Sequence, residues 1–136
     1  VPLVTDKFAI RALAGYYRDP GFIDANYLVI EPGVSVPDDP ADLTQKKDVN
    51  DERTWVSRVG VFGQLTENLD ATLTHFYQDS KSGGRQLTHR ASYGTGDYES
   101  ANRYLEPNHR QNSLLTLEVN WDFQWATLTS ATGYAD

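Results

Sequence analysis

The dominant pattern in the chain is an alternation of apolar and polar residues, and it is clearest between Leu115 and Phe123. Successive side chains of a β-strand point to opposite faces, so this alternation predicts a strand with one apolar and one polar side. No apolar stripe with helical spacing persists along the sequence. The apolar side comprises Leu115, Leu117, Val119, Trp121 and Phe123, and the polar side comprises Thr116, Glu118, Asn120 and Asp122.

Four more segments alternate less strictly, and together they predict five strands near residues 5–18, 53–65, 69–81, 113–123 and 125–135. The alternating stretches are about 10 to 13 residues long, whereas strands of soluble proteins typically have about 5 or 6. A tilted strand that crosses a membrane needs about 9 to 11 residues. Strand length therefore favours a membrane-crossing sheet.

The connections between these strands alternate in length. Thr66-Glu67-Asn68 forms a tight turn, and the chain reverses again around Phe123-Gln124. The other two connections, residues 19–52 and 82–112, are long and rich in residues that favour turns and irregular backbone. In an up-and-down meander the long loops then share one end, as they do in outer-membrane barrels.

The sequence thus predicts an all-β fold, an antiparallel up-and-down meander of about five long strands. We expect residues 1–136 to be a single segment of a larger transmembrane β-barrel. Aromatic residues near the strand ends agree with a transmembrane barrel, because Trp and Tyr are enriched at membrane–water interfaces. An ordinary core on a soluble sheet is the alternative interpretation. The expected interface aromatics are Tyr16, Tyr77, Trp121, Phe123 and Tyr134.

Composition narrows the possible functions. The chain has 136 residues, a net charge of −7 and no cysteine. Nucleic acid is not an expected partner, because phosphate binding needs clustered Lys and Arg. Disulfide and thiol chemistry are excluded. The sequence contains no run of 18 apolar residues, so a transmembrane helix is not expected. The absence of Met and of a signal peptide suggests a processed chain or an excerpt of a longer one.

Catalytic and metal-binding patterns are absent from the sequence. The three histidines, His75, His89 and His109, lack paired-ligand spacing, so we expect no metal site and no cofactor. The acidic loop at residues 37–42 lacks the ligand order of an EF-hand. There is no Gly-x-Ser-x-Gly elbow, and no glutamate spacing supports a glycosidase pair. We therefore expect no enzyme.

Ligand contact is expected in the two long loops, and the second of them mixes cations with aromatic rings. Such a set suits a siderophore or a sugar, through charge-assisted hydrogen bonds and ring stacking. An ordinary exposed loop is the competing interpretation. The candidate residues are Arg85, Arg90, Tyr93, Tyr98, Arg103 and Tyr104.

Several short motifs follow one another outside the two long loops. They are Asp6-Lys7-Phe8-Ala9-Ile10-Arg11, Tyr16-Tyr17-Arg18-Asp19, Leu65-Thr66-Glu67-Asn68-Leu69-Asp70-Ala71-Thr72-Leu73, Leu115–Phe123 and Ala126–Tyr134. In this order they resemble barrel strands of TonB-dependent outer-membrane receptors. The resemblance covers most of the chain apart from the loops, although each motif alone is weak.

The resemblance implies a barrel of about 22 strands, filled by an N-terminal plug domain. Such receptors import siderophore-bound iron, cobalamin or carbohydrate with energy from the TonB complex. The expected location is the bacterial outer membrane. The expected partners are lipid, the remaining strands, the plug, the TonB complex through the full-length protein and a small-molecule ligand. This chain departs from the family plan, since it shows no plug, no TonB-contacting segment and no closing strand.

Two other functions remain open on sequence grounds. One is a soluble all-β module that binds a ligand such as a carbohydrate. The other is a self-assembling structural protein, because open strand edges present unpaired backbone groups and favour self-association. The three hypotheses differ in what covers the apolar face: lipid, the protein's own core, or further copies of the chain.

Overall fold

A computed structural model describes residues 2–4, 7–90 and 93–136 and shows an all-β protein, as predicted. Within the described residues no helix is long and apolar enough to cross a membrane. A single 3-10 turn, Pro40–Asp42, is the helical element recorded there. The strands are β1 (Pro2–Val4), β2 (Phe8–Asp19), β3 (Asp24–Val29), β4 (Leu43–Lys46), β5 (Glu52–Thr66), β6 (Leu69–Ser82), β7 (Glu99–Ser100), β8 (Asn108–Asp122) and β9 (Thr127–Ala135).

The five long strands and the three-residue β1 form one sheet in the order β1-β2-β5-β6-β8-β9, which confirms the predicted antiparallel meander of five long strands. Its described part is open and does not close into a barrel. β8 begins at Asn108 rather than at residue 113, and β9 begins at Thr127 rather than at residue 125. The predicted start of the first strand at residue 5 lies outside the described residues.

The chain divides into two compact units. The sheet unit comprises the chain up to Tyr16, Trp55–Asp79 and Arg110–Asp136. The loop unit comprises Tyr17–Thr54 and Ser80–His109. The prediction that the whole chain is one barrel segment stays a prediction.

In the sheet unit, the pairing of neighbouring strands keeps apolar and polar side chains on opposite faces. β8 and β9 pair Leu117 with Thr132 and Trp121 with Leu128. Across β2 and β5, a Cβ at Gly63 would lie 3.1 Å from Phe8 Cε1, so these two residues share a face. Directly opposite residues in an antiparallel pair point to the same side. The apolar positions of five strands therefore merge into one continuous surface.

This surface, the apolar face, is unusually exposed. In the described part of the long strands, nearly all exposed large apolar side chains lie on it, while Leu13, Tyr17 and Leu114 lie on the other side. Every described side chain of β9 is exposed. The members of the apolar face are Phe8, Ile10, Tyr16, Trp55, Val59, Val61, Leu65, Leu73, Leu115, Leu117, Trp121, Leu128 and Tyr134.

The opposite side, the polar face, carries a row of side-chain hydrogen bonds across three strands. Asn120 of β8 donates to Asp70 Oδ1 of β6 at 3.1 Å, and it accepts from the Thr129 hydroxyl of β9 at 2.8 Å. Asn120 also donates to Glu118 at 3.4 Å. Polar residues that bond to one another in this way fix the register of the strands.

The loop unit differs from the sequence-based expectation, because the two long connections were expected to be irregular. They build a second sheet in the order β4-β3-β7, in which β3 runs antiparallel to β4 and parallel to β7. Ala25 and Leu28 of β3 form a buried core with Ile23 and Val49 from the flanking segments, and Leu105 packs against it. These strands are short, so their alternation was hidden among turn-forming residues.

Asn50 is the central polar residue of this core and has no exposed surface. Its Oδ1 accepts from the backbone N–H groups of Phe22 at 2.8 Å and Ile23 at 2.7 Å. Its Nδ2 donates to Gln86 Oε1 at 2.7 Å. A buried amide is tolerated when its bonds are satisfied, and here it joins three distant stretches of the chain.

Gly21 allows the backbone to approach this segment closely. It adopts a φ of +88°, a left-handed conformation that favours glycine. A Cβ there would lie 2.7 Å from the carbonyl oxygen of Asp48. Any side chain at position 21 would therefore push the Asp48–Asn50 segment away from its hydrogen-bond partners.

Candidate functional site

The six residues predicted for ligand contact fall at three places in the loop unit. Arg103 and Tyr93 line one recess, and Arg90 and Tyr98 line a second. Arg85 and Tyr104 border a third site. The structure therefore does not gather the six into one site.

The first recess has a volume of about 550 Å³ and is the strongest candidate in the loop unit. The Arg103 guanidinium lies 5.4 Å from the centre of the Tyr27 ring, a cation–π geometry. Its Nη1 donates to the Tyr27 carbonyl at 3.4 Å. The Tyr27 hydroxyl donates to the Tyr93 carbonyl at 2.9 Å. The lining consists of Tyr27, His89, Tyr93, Ala101, Asn102 and Arg103.

His89 is held in one orientation at this recess. The backbone N–H of Ala101 donates to its Nδ1 at 3.1 Å, and its own backbone N–H donates to the Glu99 carbonyl at 2.9 Å. The Thr95 hydroxyl donates to the His89 carbonyl. Because Nδ1 accepts a bond, the neutral ring carries its proton on Nε2 and presents a donor. The Tyr93 ring meets the imidazole edge-on, with centres 6.3 Å apart.

The backbone at Tyr93 is in the left-handed region, with a φ of 54°. This conformation is uncommon for residues other than glycine, and three other described residues, Asp48, Tyr98 and Gln124, share it. The recess thus combines one cation, two phenol rings, an imidazole donor and the Asn102 amide. Such a set suits a ligand with aromatic rings and anionic oxygen atoms.

The second recess is smaller, at about 390 Å³, and its cation is already paired. Arg90 Nε lies 2.7 Å from Asp97 Oδ1. The Tyr98 ring meets Phe22 edge-on at 5.7 Å, and its carbonyl accepts from the Asp24 N–H at 2.9 Å. These contacts order the loop and leave little free binding capacity.

The third site is closed, with a volume of only about 10 Å³. Arg85 forms an ion pair with Glu106 there. Two exposed side chains held in one ion pair contribute little stability. Arg85 is therefore engaged with its own chain, and Tyr104, which is half exposed, borders the same closed space.

The described acidic and histidine residues do not assemble a metal centre. In residues 7–90 and 93–136 no group of three or more His, Asp or Glu side chains is placed to hold a metal ion. In the acidic loop, Asp39 accepts from the Ala41 N–H at 2.9 Å, and Asp42 accepts from the Val36 N–H at 2.6 Å. Both carboxylates thus stabilise a turn of their own backbone.

One phenol at the start of the loop unit titrates abnormally. The Tyr17 hydroxyl donates to Asp19 Oδ2 at 3.3 Å. The negative charge of Asp19 raises the pKa of Tyr17 above its ordinary value of 10.0, with smaller contributions from desolvation and from this hydrogen bond. A nearby carboxylate disfavours the phenolate, so the Tyr17 hydroxyl remains a hydrogen-bond donor to a higher pH than an ordinary phenol.

The expected interface aromatics lie toward the ends of the sheet unit. Trp121, Phe123 and Trp125 form a row around the β8–β9 turn, with ring centres 4.6 Å and 6.2 Å apart. Tyr77 accepts a bond from the Gln111 amide at 3.2 Å toward the opposite end of the strands. Tyr16 and Tyr134 are exposed on the apolar face. Whether these rings lie at a membrane interface stays a prediction.

Sequence reasoning missed four residues of the first recess, namely Tyr27, His89, Ala101 and Asn102. Tyr27 lies on β3, inside a connection that was expected to be irregular. His89 was considered only as a metal ligand. The available signal was the alternation of Ala25, Tyr27 and Val29, which marks a short strand once the turn residues around it are set aside.

Comparisons with known proteins identified no relative of this chain. A scan against protein-family models, a search of curated proteins and a search of solved structures each found no match to this chain.

Proposed function

We propose that this chain is part of an outer-membrane TonB-dependent receptor that imports siderophore-bound iron, cobalamin or carbohydrate. The observation that carries the proposal is the apolar face. Its large side chains are exposed together on one side of five long strands, while the other side is polar and hydrogen-bonded. A transmembrane barrel needs this arrangement, with lipid outside and a polar interior.

The amount of exposed surface supports the proposal. The chain exposes 9895 Å² for a mass of 15.3 kDa. A compact protein of this mass exposes roughly 7,100 Å², and two separate globular halves would expose roughly 8,600 Å² together. The excess does not depend on how the two units are arranged. The exposed side chains of the apolar face contribute to this excess, and a continuous apolar surface requires a cover that lipid would provide.

Strand length in the sheet unit fits the thickness of a membrane. On β5, the apolar face runs from Trp55 to Leu65. At about 3.4 Å per residue and a tilt of about 40°, this distance spans roughly 26 Å across the bilayer. The apolar band of outer-membrane barrels is about 25 Å tall. Aromatic rings at both ends of the strands agree with interface girdles.

The loop unit supplies the ligand-binding part of the proposal. The recess around Tyr27, His89, Tyr93 and Arg103 offers a cation and ring faces. An iron–catecholate siderophore carries anionic oxygens and aromatic rings and matches this chemistry better than a neutral sugar. Import itself would require the remaining strands, a plug domain and the TonB complex.

Ligand chemistry can be tested with gallium(III) tris(catecholate), a diamagnetic substitute for a ferric siderophore. We expect it to shift the amide signals of Ala101, Asn102 and Arg103 in an NMR titration. Arg103→Gln should weaken binding at least about tenfold, because it removes a charge-assisted contact. Arg53→Gln, an arginine outside the recess, serves as the control. Shifts caused by maltose and not by the gallium complex would instead favour a carbohydrate ligand.

The membrane part of the proposal is tested by sedimentation with circular dichroism, in plain buffer and in neutral detergent. We expect aggregates in buffer and a small β-rich species in detergent, because detergent covers the apolar face. A β-rich monomer in plain buffer would contradict the proposal and favour a soluble ligand-binding module.

One observation favours self-assembly as a second candidate. Ser113 and Asp136 exchange both backbone bonds, so Thr129, Ala131 and Gly133 turn their N–H and C=O groups toward the free edge of β9. β9 contains no charge and no proline that would block another strand. Ordered fibres that persist in detergent, in the same sedimentation experiment, would support this function.

A further inference from the structure

A groove lies on the polar face of the sheet unit, above Gly60, and no role has been assigned to it. It runs across β2, β5 and β6 and has a volume of about 590 Å³. The groove exists because Gly60 has no side chain, and a Cβ there would lie 3.4 Å from Thr74 Oγ1. Two arginines, Arg11 and Arg58, and two threonines, Thr72 and Thr74, line it together with Leu13 and Phe62.

The two arginines lie on neighbouring strands. Contacts of Gly15 with Val56 and of Gly63 with Phe8 set the β2–β5 register. This register places Arg11 opposite Gly60 and Leu13 opposite Arg58, so the arginines are diagonal neighbours. Diagonal neighbours are about 7 to 8 Å apart at their Cα atoms, within reach of long side chains. Two like charges placed together repel unless an anion lies between them.

Neither arginine has a partner among the described residues. Neither guanidinium makes a hydrogen bond or an ion pair there. The carboxylates recorded on the same face of β6 and β8 have other partners, since Asp70 and Glu118 accept from Asn120 and Asp122 accepts from the Gln124 N–H. The chain has 19 acidic and 12 basic side chains. Two unpaired cations side by side in an acidic chain therefore call for an anionic partner.

We propose that this groove binds a small organic oxyanion, a carboxylate or phosphate ester with an apolar body. Arg11 and Arg58 would hold the anionic oxygens, because a guanidinium binds carboxylate and phosphate through paired N–H donors. The Thr72 and Thr74 hydroxyls supply further donors, and Leu13 and Phe62 contact the apolar body. This inference rests on the groove alone and does not depend on the proposed import function.

The test uses the full chain in neutral detergent, with phenyl phosphate as the probe. Saturable amide shifts are expected at Gly60, Thr72 and Thr74 during an NMR titration at low salt. Arg11→Gln and Arg58→Gln should each weaken binding at least about tenfold. Arg53→Gln removes an equal charge outside the groove and should leave binding unchanged. Circular dichroism on each variant checks that the strands are retained.

Two further probes separate the contributions of charge and apolar body. Benzyl alcohol has a similar body without the charge and should not saturate the groove, while inorganic phosphate should bind more weakly than phenyl phosphate. The proposal is overturned by unsaturable shifts, or by binding that survives in the double variant. Binding of only a glutamate-containing peptide would also overturn it and would reassign the arginines to a protein partner.

Discussion

Replacing Leu117 with lysine is expected to lower the free energy of unfolding in a lipid bilayer by about 2 to 4 kcal/mol, the cost of a cation at the membrane midplane. Leu117 lies on the apolar face near the middle of β8, six residues after Gln111 and four before Trp121. Urea unfolding in lipid vesicles, followed by tryptophan fluorescence, measures the change.

Thr116→Lys is the matched control, because Thr116 directly precedes Leu117 in β8 and points to the polar face. Its hydroxyl makes only a long bond of 3.5 Å to the Thr74 carbonyl, so we expect a loss below about 1 kcal/mol. Similar losses at the two positions would contradict a lipid-facing apolar side. If water covers that side, Leu117→Lys should also cost less than about 1 kcal/mol, since Leu117 is already 43% exposed.

Asn50→Ala is expected to destabilise the loop unit by about 3 to 5 kcal/mol. The substitution leaves the buried N–H of Ile23 and the partly buried N–H of Phe22 without an acceptor, and an unsatisfied buried group costs about 1 to 3 kcal/mol. It also removes the donor to Gln86 Oε1, while the bond from Gln86 Nε2 to the backbone carbonyl of residue 50 can remain. Hydrogen exchange at the amides of Ile23 and Val49 should accelerate accordingly, and it measures local opening directly.

Asn68→Ala is the control for this prediction. Asn68 lies exposed in the β5–β6 turn, and no side-chain bond is recorded for it, so we expect a change within about 0.5 kcal/mol. Unchanged exchange at Ile23 in Asn50→Ala would show that the core of the loop unit holds without this amide. A loss confined to the loop unit would show that its stability can change separately from that of the sheet.

The five long strands could be predicted because their faces alternate over many residues. In β8, the apolar side chains from Leu115 to Trp121 repeat at every second position, which leaves little room for another structure. The short turn at residues 67 and 68 then fixes the antiparallel order of β5 and β6. Local pattern and topology agree in this part of the chain.

The loop unit could not be predicted in the same way. β3 buries the consecutive residues Leu28 and Val29, so strict alternation breaks where the core is tightest. Its stability depends on Asn50, whose partners are 27 to 36 residues away in sequence. Pairings over such distances leave no periodic signal. For the same reason, the recess that joins Tyr27 to Arg103 could be found only in three dimensions.

The bonds of Asn50 also have a consequence for the order in which the chain folds. Bringing Asn50 to Gln86 in an open chain closes a loop of 36 residues. Once the β5–β6 hairpin has formed, Thr54 is bonded to Ser80. Only the short segments 50–54 and 80–86 then have to be ordered to bring Asn50 to Gln86. The entropic cost then falls by roughly 1 kcal/mol. The hairpin, built from local contacts, should therefore form first and act as a template for the loops.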